Sequence, residues 1–284
     1  MIKTKVLLIG SRGYLGSTLV LLYKKNPLLY VEEFQSENKI PDDFEMKKII
    51  SGYDVIVHVA GGGGSKYSTN EPYKALRDMV LFTDRLVKNA ISQKIPKIIY
   101  TSTIHLYDIR ADTTHFNEEE AIYPTDYYSS LKLASEIIVA QHPNHIILRL
   151  SHLYGYGSGQ RLFKGGVLNN ICKQAVNKEK VTISDLDYSL DLVCISDVVR
   201  AIEKAITISC GSQIINIGTG YSIKLKEILE CISQFLEYDI EVINLNDNFL
   251  GGYSLSIDKA KKLLGWSPVA NIQSEIKKLV NAYH

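Results

Sequence analysis

The stretch Val6-Leu7-Leu8-Ile9-Gly10-Ser11-Arg12-Gly13-Tyr14-Leu15-Gly16 decides the fold. Four apolar residues read as a buried strand, three glycines follow at intervals of three, and Tyr14–Lys25 reads as a helix. A strand that turns through GxxGxxG into a helix lets backbone N–H groups approach a pyrophosphate, and the helix N-terminus adds partial positive charge. Gly10 is assigned the tight turn, Gly13 the close approach of phosphate, and Gly16 the close packing of helix on strand. With Arg12, Tyr14 and Leu15 they form the predicted dinucleotide cradle.

The second strand, Leu28–Phe34, runs on as Glu32-Glu33-Phe34-Gln35-Ser36. An NAD-preferring site usually ends this strand with an acidic residue for the ribose 2′-OH. Counting places Phe34 or Gln35, rather than either glutamate, at the reading position. Arg12 lies within the glycine turn, where a guanidinium can clamp a 2′-phosphate in bidentate fashion. The expected cofactor is therefore NADP(H), with NAD(H) as the alternative.

Outward from the turn, apolar runs alternate with amphipathic stretches for about 150 residues, the rhythm of a parallel sheet wrapped by helices. Val55–Val59 is a strand closed by Ala60-Gly61-Gly62-Gly63-Gly64, and Ala60 and Gly61 would border the cofactor. A long helix is expected over about Tyr73–Gln93, a strand at Lys97–Tyr100, a helix over Asp126–Gln141 and a strand at Ile146–Leu150. Further on, helices are expected over Arg161–Lys178 and Ser196–Ile208, and a strand at Ile214–Ile217. Ser222 is read as the cap of another helix, and Asp258–Gly265 and Ile272–Ala282 as two short ones. The predicted class is α/β: a Rossmann-type doubly wound parallel sheet over 1–160. A smaller substrate-binding region over 161–284 is interleaved with that core around 181–220.

Composition narrows the function. Apolar residues make up 45% and charged residues 22%, ordinary for a globular protein, and the net charge of +1 offers no field for nucleic acid or an acidic membrane. Cys172, Cys194, Cys210 and Cys231 show no CxxC spacing, so no metal is expected and the thiols read as reduced and mostly buried. The apolar run before Gly10 is too short for a signal segment, and no run approaches a membrane span. A cytoplasmic location is expected.

A second signature lies at Tyr128-Ser129-Ser130-Leu131-Lys132, with Thr103 25 residues before the tyrosine. Tyrosine titrates near pH 10 and is a poor acid or base at neutral pH without help. Lys132, one helical turn on, shares its face and is expected to favour the phenolate and lower the tyrosine's pKa. The Thr103 hydroxyl can orient the same substrate oxygen, with Ser102 the weaker candidate. Thr103, Tyr128 and Lys132 are the predicted catalytic set.

These residues resemble the extended short-chain dehydrogenase/reductase family, which holds sugar-nucleotide epimerases, dehydratases and ketoreductases. Ile99–Tyr107 is similar to its catalytic-hydroxyl strand, and Leu148–Gly155 to its R-x-x-N-x-Y-G segment. Val193–Val199, Ile215–Gly220 and Lys259–Trp266 are similar to its later landmarks. The resemblance covers nearly the whole chain. It implies hydride transfer between a nicotinamide and a sugar or sugar-like carbon, with Tyr128 passing the proton. Lys132 would also hold the nicotinamide ribose, and Tyr154 would lie near nicotinamide or substrate. It further implies a homodimer built on the Tyr73–Gln93 and Asp126–Gln141 helices.

Departures from the family pattern shape the rest. Ile104-His105 replaces the Asp-Glu pair of dehydratases, which argues against elimination. His152 replaces the usual substrate-facing Asn, as a hydroxyl partner, a second acid/base or a packed residue. Leu190 precedes Asp191 where the family often has Arg, leaving Arg161 as the basic candidate for a substrate phosphate. The Asn expected on the Tyr73–Gln93 helix is replaced near Asp78-Met79. The expected function is an NADPH-dependent ketoreductase acting on a keto-sugar or sugar-nucleotide. An NAD-dependent sugar-nucleotide epimerase and a non-catalytic dinucleotide-binding sensor stand as alternatives.

Overall fold

The structure, a computed structural model, describes residues 3–34, 39–61, 64–108, 114–157, 166–245 and 252–283. The chain divides into two compact units. The first comprises Met1–Asp108, Glu120–Arg149 and Ile202–Ile215; the second comprises Ile109–Glu119, Leu150–Ala201 and Asn216–His284. Residues 202–215 thus return to the first unit after the chain has passed through the second.

In the first unit, β1 (Thr4–Ile9) pairs in parallel with β2 (Leu29–Phe34) on one side and β3 (Val55–His58) on the other. β3 pairs in parallel with β4 (Lys97–Thr103). Strands His145–Leu150 and Gln213–Ile217 extend the same sheet beyond β4 to six strands. Val6–Ile9 and every residue of β3 and β4 are buried, as in a sheet covered on both faces. β2 is the edge strand and alternates buried with exposed positions over most of its length. The chain leaves β1 for β2 on one side and returns for β3 on the other, so a crevice opens beyond the carboxyl ends of β1 and β3. Gly10 and Ala60 stand there.

Helix α1 (Tyr14–Tyr23) follows β1. Helix α2 (Asp43–Ile50) starts with a capping box, Asp42 accepting from Glu45 N at 2.8 Å and Glu45 accepting from Asp42 N at 3.1 Å. The long helix expected over Tyr73–Gln93 is instead three pieces: Pro72–Leu76, a π turn at Arg77–Leu81, and Phe82–Ser92. Pro72 supplies the start, where its missing N–H costs nothing. At the widened turn the Met79 carbonyl accepts the hydroxyls of Thr83 and Ser135, the insertion that accompanies such irregularities. Helix Tyr127–Val139 opens on Asp126, whose carboxylate accepts from Ser129 N at 2.7 Å.

Lys97 caps a distant helix end. Its ammonium donates to the carbonyls of Ala205, Ile206 and Ile208 at the close of helix Ile195–Thr207, satisfying orphan acceptors and countering the dipole.

The second unit is built on short ladders. Leu192–Cys194 pairs in parallel with His152–Tyr154, Val242–Asn244 with Val181–Ile183, and Ser254–Leu255 with His115–Phe116. Asp191, fully buried, accepts from Thr219 N and Oγ1 at 2.8 Å each and from Leu255 N at 3.0 Å. Ser222 does not cap a helix: Ile223–Lys224 pairs antiparallel with Ser189–Leu190 first, and the helix runs Leu225–Leu236. The helix expected over Arg161–Lys178 is described as Val167–Val176. None of the described helices is long and apolar enough to cross a membrane.

Candidate active site

The glycine turn has little room for side chains at two positions. Gly10 has φ +98°, and a Cβ on it would lie 2.6 Å from Ala60 N. A Cβ on Gly16 would lie 2.1 Å from the Gly10 carbonyl oxygen. Gly13 is the N-cap of α1 and contributes no side-chain hydrogen bond, so the N-terminus of this ten-residue helix stays approachable. Donors without a capping side chain, at the positive end of a helix, suit phosphate oxygens.

Beside this turn lies a cavity of about 220 Å³. Ile9, Phe34, Ile40 and Phe82 give it apolar walls, and the Phe34 and Phe82 rings stack with centroids 6.1 Å apart and planes 15° apart. Gly10, Ser11, Arg12, Ala60, Gly61, Arg77 and Asp78 complete the lining. Ile9 and Phe34 are register partners at the ends of β1 and β2, and both line the cavity. Glu33 instead pairs with Lys24 at 2.8 Å, and Glu32 accepts from the hydroxyls of Tyr30 and Tyr53. Gln35 and Ser36 lie outside the described residues. A turn rich in N–H groups, an aromatic wall and a cationic rim fit the phosphates and adenosine of a dinucleotide.

Sequence reading missed Arg77, Asp78 and Phe82 as parts of this wall. Its one signal was the missing Asn near Asp78-Met79. Arg77 Nε donates to Asp78 Oδ1 at 2.7 Å, and Tyr67 donates its hydroxyl to Asp78 Oδ2 at 3.1 Å.

The three predicted catalytic residues come together in the first unit. Thr103 is buried at the end of β4, where its hydroxyl oxygen accepts from His105 N at 3.3 Å and its side chain is near enough to Tyr128 to favour the phenolate. Lys132 is buried, donates to the Thr101 carbonyl at 3.0 Å, and lies 4.8 Å above the Tyr100 ring and 6.0 Å from the centre of the Tyr128 ring. Ser102 Oγ is buried with no hydrogen-bond partner among the described residues, as expected of a group awaiting a ligand.

The electrostatics differ from expectation. Burial, then the charge of Asp126, pushes Tyr128 up to about 12, with Thr103 opposing. Lys132 does not offset that rise. It is itself pulled down to about 8 by burial, with Glu136 opposing. Tyr128 therefore holds its proton at neutral pH and Lys132 keeps most of its charge, which equips the pair as a proton donor with a fixed cation behind it.

In the second unit, His152 is half-buried and its Nδ1 lies 3.2 Å from the Asp191 carbonyl. A carbonyl only accepts, so Nδ1 carries the proton in this contact. Tyr154 is 2% exposed, and burial, then Cys194, raises its pKa. Arg161 lies outside the described residues.

A sequence model of the NAD dependent epimerase/dehydratase family matches residues 6–218. The dTDP-4-dehydro-6-deoxyglucose reductase of Escherichia coli is 26% identical, over 99% of this chain and 98% of that protein. The UDP-glucuronic acid 4-epimerase of Bacillus cereus, solved with UDP-glucuronic acid and NAD, superposes with a TM-score of 0.86 at 19% identity, covering 99% of each chain. RMD of Pseudomonas aeruginosa, solved with NADPH, superposes with a TM-score of 0.83 at 17% identity, again over 99% of each chain.

Proposed function

The chain belongs to the NAD dependent epimerase/dehydratase family, and from that premise we propose an NADP(H)-dependent reductase of a keto-sugar carried on a nucleotide. The observation that carries this reading is the gathering of Thr103, Tyr128 and Lys132 in one place, with the Lys132 ammonium 6.0 Å from the centre of the Tyr128 ring and burial favouring the protonated phenol as donor. A bound nicotinamide supplies the hydride. Thr103 and Ser102 orient the substrate carbonyl oxygen, and Tyr128 delivers its Oη proton to that oxygen as negative charge develops. Lys132 favours the phenolate left behind, and the Thr101 carbonyl keeps the ammonium in place. His152 bonds a sugar hydroxyl.

Phe34 at the end of β2, with Arg12 on the adjoining turn, supports the phosphorylated dinucleotide. The reductase relative that spans nearly the whole chain supports a nucleotide-linked substrate. Exposed apolar side chains on the two helical segments predicted to pair, Leu81 at 51% and Ile137 at 58%, support a homodimer. Sedimentation of the wild type and of a Leu81→Glu, Ile137→Glu double variant tests it: a monomeric wild type rejects that assembly.

The activity is tested by following NADPH absorbance with a panel of nucleotide-linked 4-keto-sugars. Stoichiometric NADPH consumption is expected, with loss of roughly 10²–10⁴-fold in turnover for Tyr128→Phe and unchanged cofactor binding. Interconversion of C4 epimers without net cofactor consumption would replace this reading by an epimerase. Full activity in Tyr128→Phe would remove the proposed proton donor.

A further inference from the structure

We propose that Arg77 is a second cation reading the 2′-phosphate of an NADP-type cofactor, held ready for that task by Asp78. The inference rests on the NADP(H) reading above. Phe34, the last described residue of β2, lines the cavity beside the glycine turn with an aromatic ring and not a carboxylate. An acid there would also repel a phosphate; the aromatic ring does not. Arg12 lines the cavity from the glycine turn, and Arg77 lines the same cavity from the π turn, 65 residues further along the chain.

The local backbone explains how Arg77 comes to be there. Gly61 has φ +90°, and the Met79 side chain packs where a Cβ on it would sit, with Cγ 2.9 Å from that point. Met79 is thereby turned inward and buried, while its neighbours Arg77 and Asp78 meet the cavity. The Asp78 carboxylate engages Arg77 at Nε, at 2.7 Å, and is itself anchored by the Tyr67 hydroxyl. A bond at Nε fixes the plane of the guanidinium and leaves its terminal NH2 groups as donors for a tetrahedral anion. Among the described residues, two guanidinium groups stand against one carboxylate in the lining, a positive balance that favours the phosphate form.

Asp78 is also the acidic residue among the described lining, so there is an opposite reading: Asp78 would accept the 2′-OH of NAD and Arg77 would only position it. Calorimetric titration of the full-length protein with 2′,5′-ADP and with 5′-AMP separates the two. The wild type is expected to bind 2′,5′-ADP more tightly. Arg77→Gln should lose roughly tenfold for 2′,5′-ADP, the scale of one charge-assisted hydrogen bond, and keep 5′-AMP within about twofold. Retained 5′-AMP binding shows that the variant is folded, and Arg77→Lys should recover part of the loss.

A wild type that binds the two ligands equally overturns the NADP(H) reading and this inference with it. Preference for 2′,5′-ADP that Arg77→Gln leaves intact, but Arg12→Gln abolishes, overturns the role of Arg77 alone. Equal loss of both ligands in Arg77→Gln also overturns it, because the effect would not belong to the phosphate. Loss of 5′-AMP binding in Asp78→Asn, with 2′,5′-ADP binding unchanged, establishes the opposite reading.

Discussion

Arg149 and Glu136 form a bidentate ion pair inside the first unit, Nε to Oε1 at 3.1 Å and NH2 to Oε2 at 2.9 Å. Their side chains are 2% and 4% exposed, and Arg149 also donates to the Tyr107 hydroxyl at 3.1 Å. Glu136 stands one helical turn beyond Lys132, and its charge opposes the burial that pulls the lysine down. A pair that organises the core thus reaches the candidate catalytic lysine.

Glu136→Gln would leave the Arg149 charge buried without its partner. Breaking a buried pair from one side costs about 3–5 kcal/mol, and denaturant unfolding should show a loss of that order. Tyr107→Phe removes one hydrogen bond to the guanidinium and should cost less, about 1.5–3 kcal/mol. Equal, small losses in both variants would mean that the ion pair is energetically idle.

The pH profile of reduction follows from Lys132 and Tyr128. Lys132 is charged below about 8 and neutral above it, whereas Tyr128 keeps its proton to about 12. We expect kcat/KM to be level from about pH 6 to 7.5 and to fall through an alkaline limb near 8. Whatever activity Glu136→Gln retains should show this limb at lower pH, since the lysine loses the charge that supports its protonated form. A profile level to about pH 10 would contradict the assignment of Lys132.

His58 ends β3 fully buried, with Nε2 2.9 Å from Thr83 Oγ1. Thr83 gives its own proton to the Met79 carbonyl, so Nε2 is the donor, and Nδ1 has no hydrogen-bond partner among the described residues. Burial, helped by Lys132, pulls the ring down to about 3 from 6.5. As pH falls below 6.5 the unfolded chain takes up this proton and the folded chain does not. Stability should therefore be whole above that value and decline towards pH 3, at roughly 1.4 kcal/mol per unit from this group. Urea midpoints across the window should fall less steeply in His58→Gln than in the wild type; equal slopes would reject the assignment.

Two glycine substitutions separate packing from binding. Gly16→Ala sets a Cβ 2.1 Å from the Gly10 carbonyl, backbone against backbone, and should lower stability by about 1–3 kcal/mol as well as dinucleotide affinity. A Cβ on Gly13 would meet only the Gly10 carbonyl oxygen, at 3.3 Å. Gly13→Ala should therefore keep its Tm while losing affinity, because the added methyl stands where phosphate approaches. Wild-type NADPH affinity in Gly13→Ala would show that the turn is not the cradle.

Local spacing by itself determined the strand, glycine turn and helix at 6–16 and the placing of Tyr128 one helical turn before Lys132. The turn, which closes Gly13 N on the Gly10 carbonyl, and the helices rest on backbone hydrogen bonds within a few residues, and the buried strand shows in its unbroken apolar run, so all can be read without knowing what packs above them. Counting along β2 likewise led to Phe34 or Gln35, because strand register advances one residue at a time; Phe34 lines the cavity and Gln35 lies outside the described residues. The same logic failed at Ser222, where pairing of Ile223–Lys224 with Ser189–Leu190 overrides a local capping signal. It failed again at Arg77–Leu81, where hydroxyls from Thr83 and Ser135 meet the Met79 carbonyl and the helix widens. Only the tertiary structure brought Phe34, Phe82 and Arg77 to one cavity, joined Glu136 to Arg149, and kept the proton on Tyr128. No sequence period relates those residues, and a proton's free energy depends on the burial and charges that distant segments place around it.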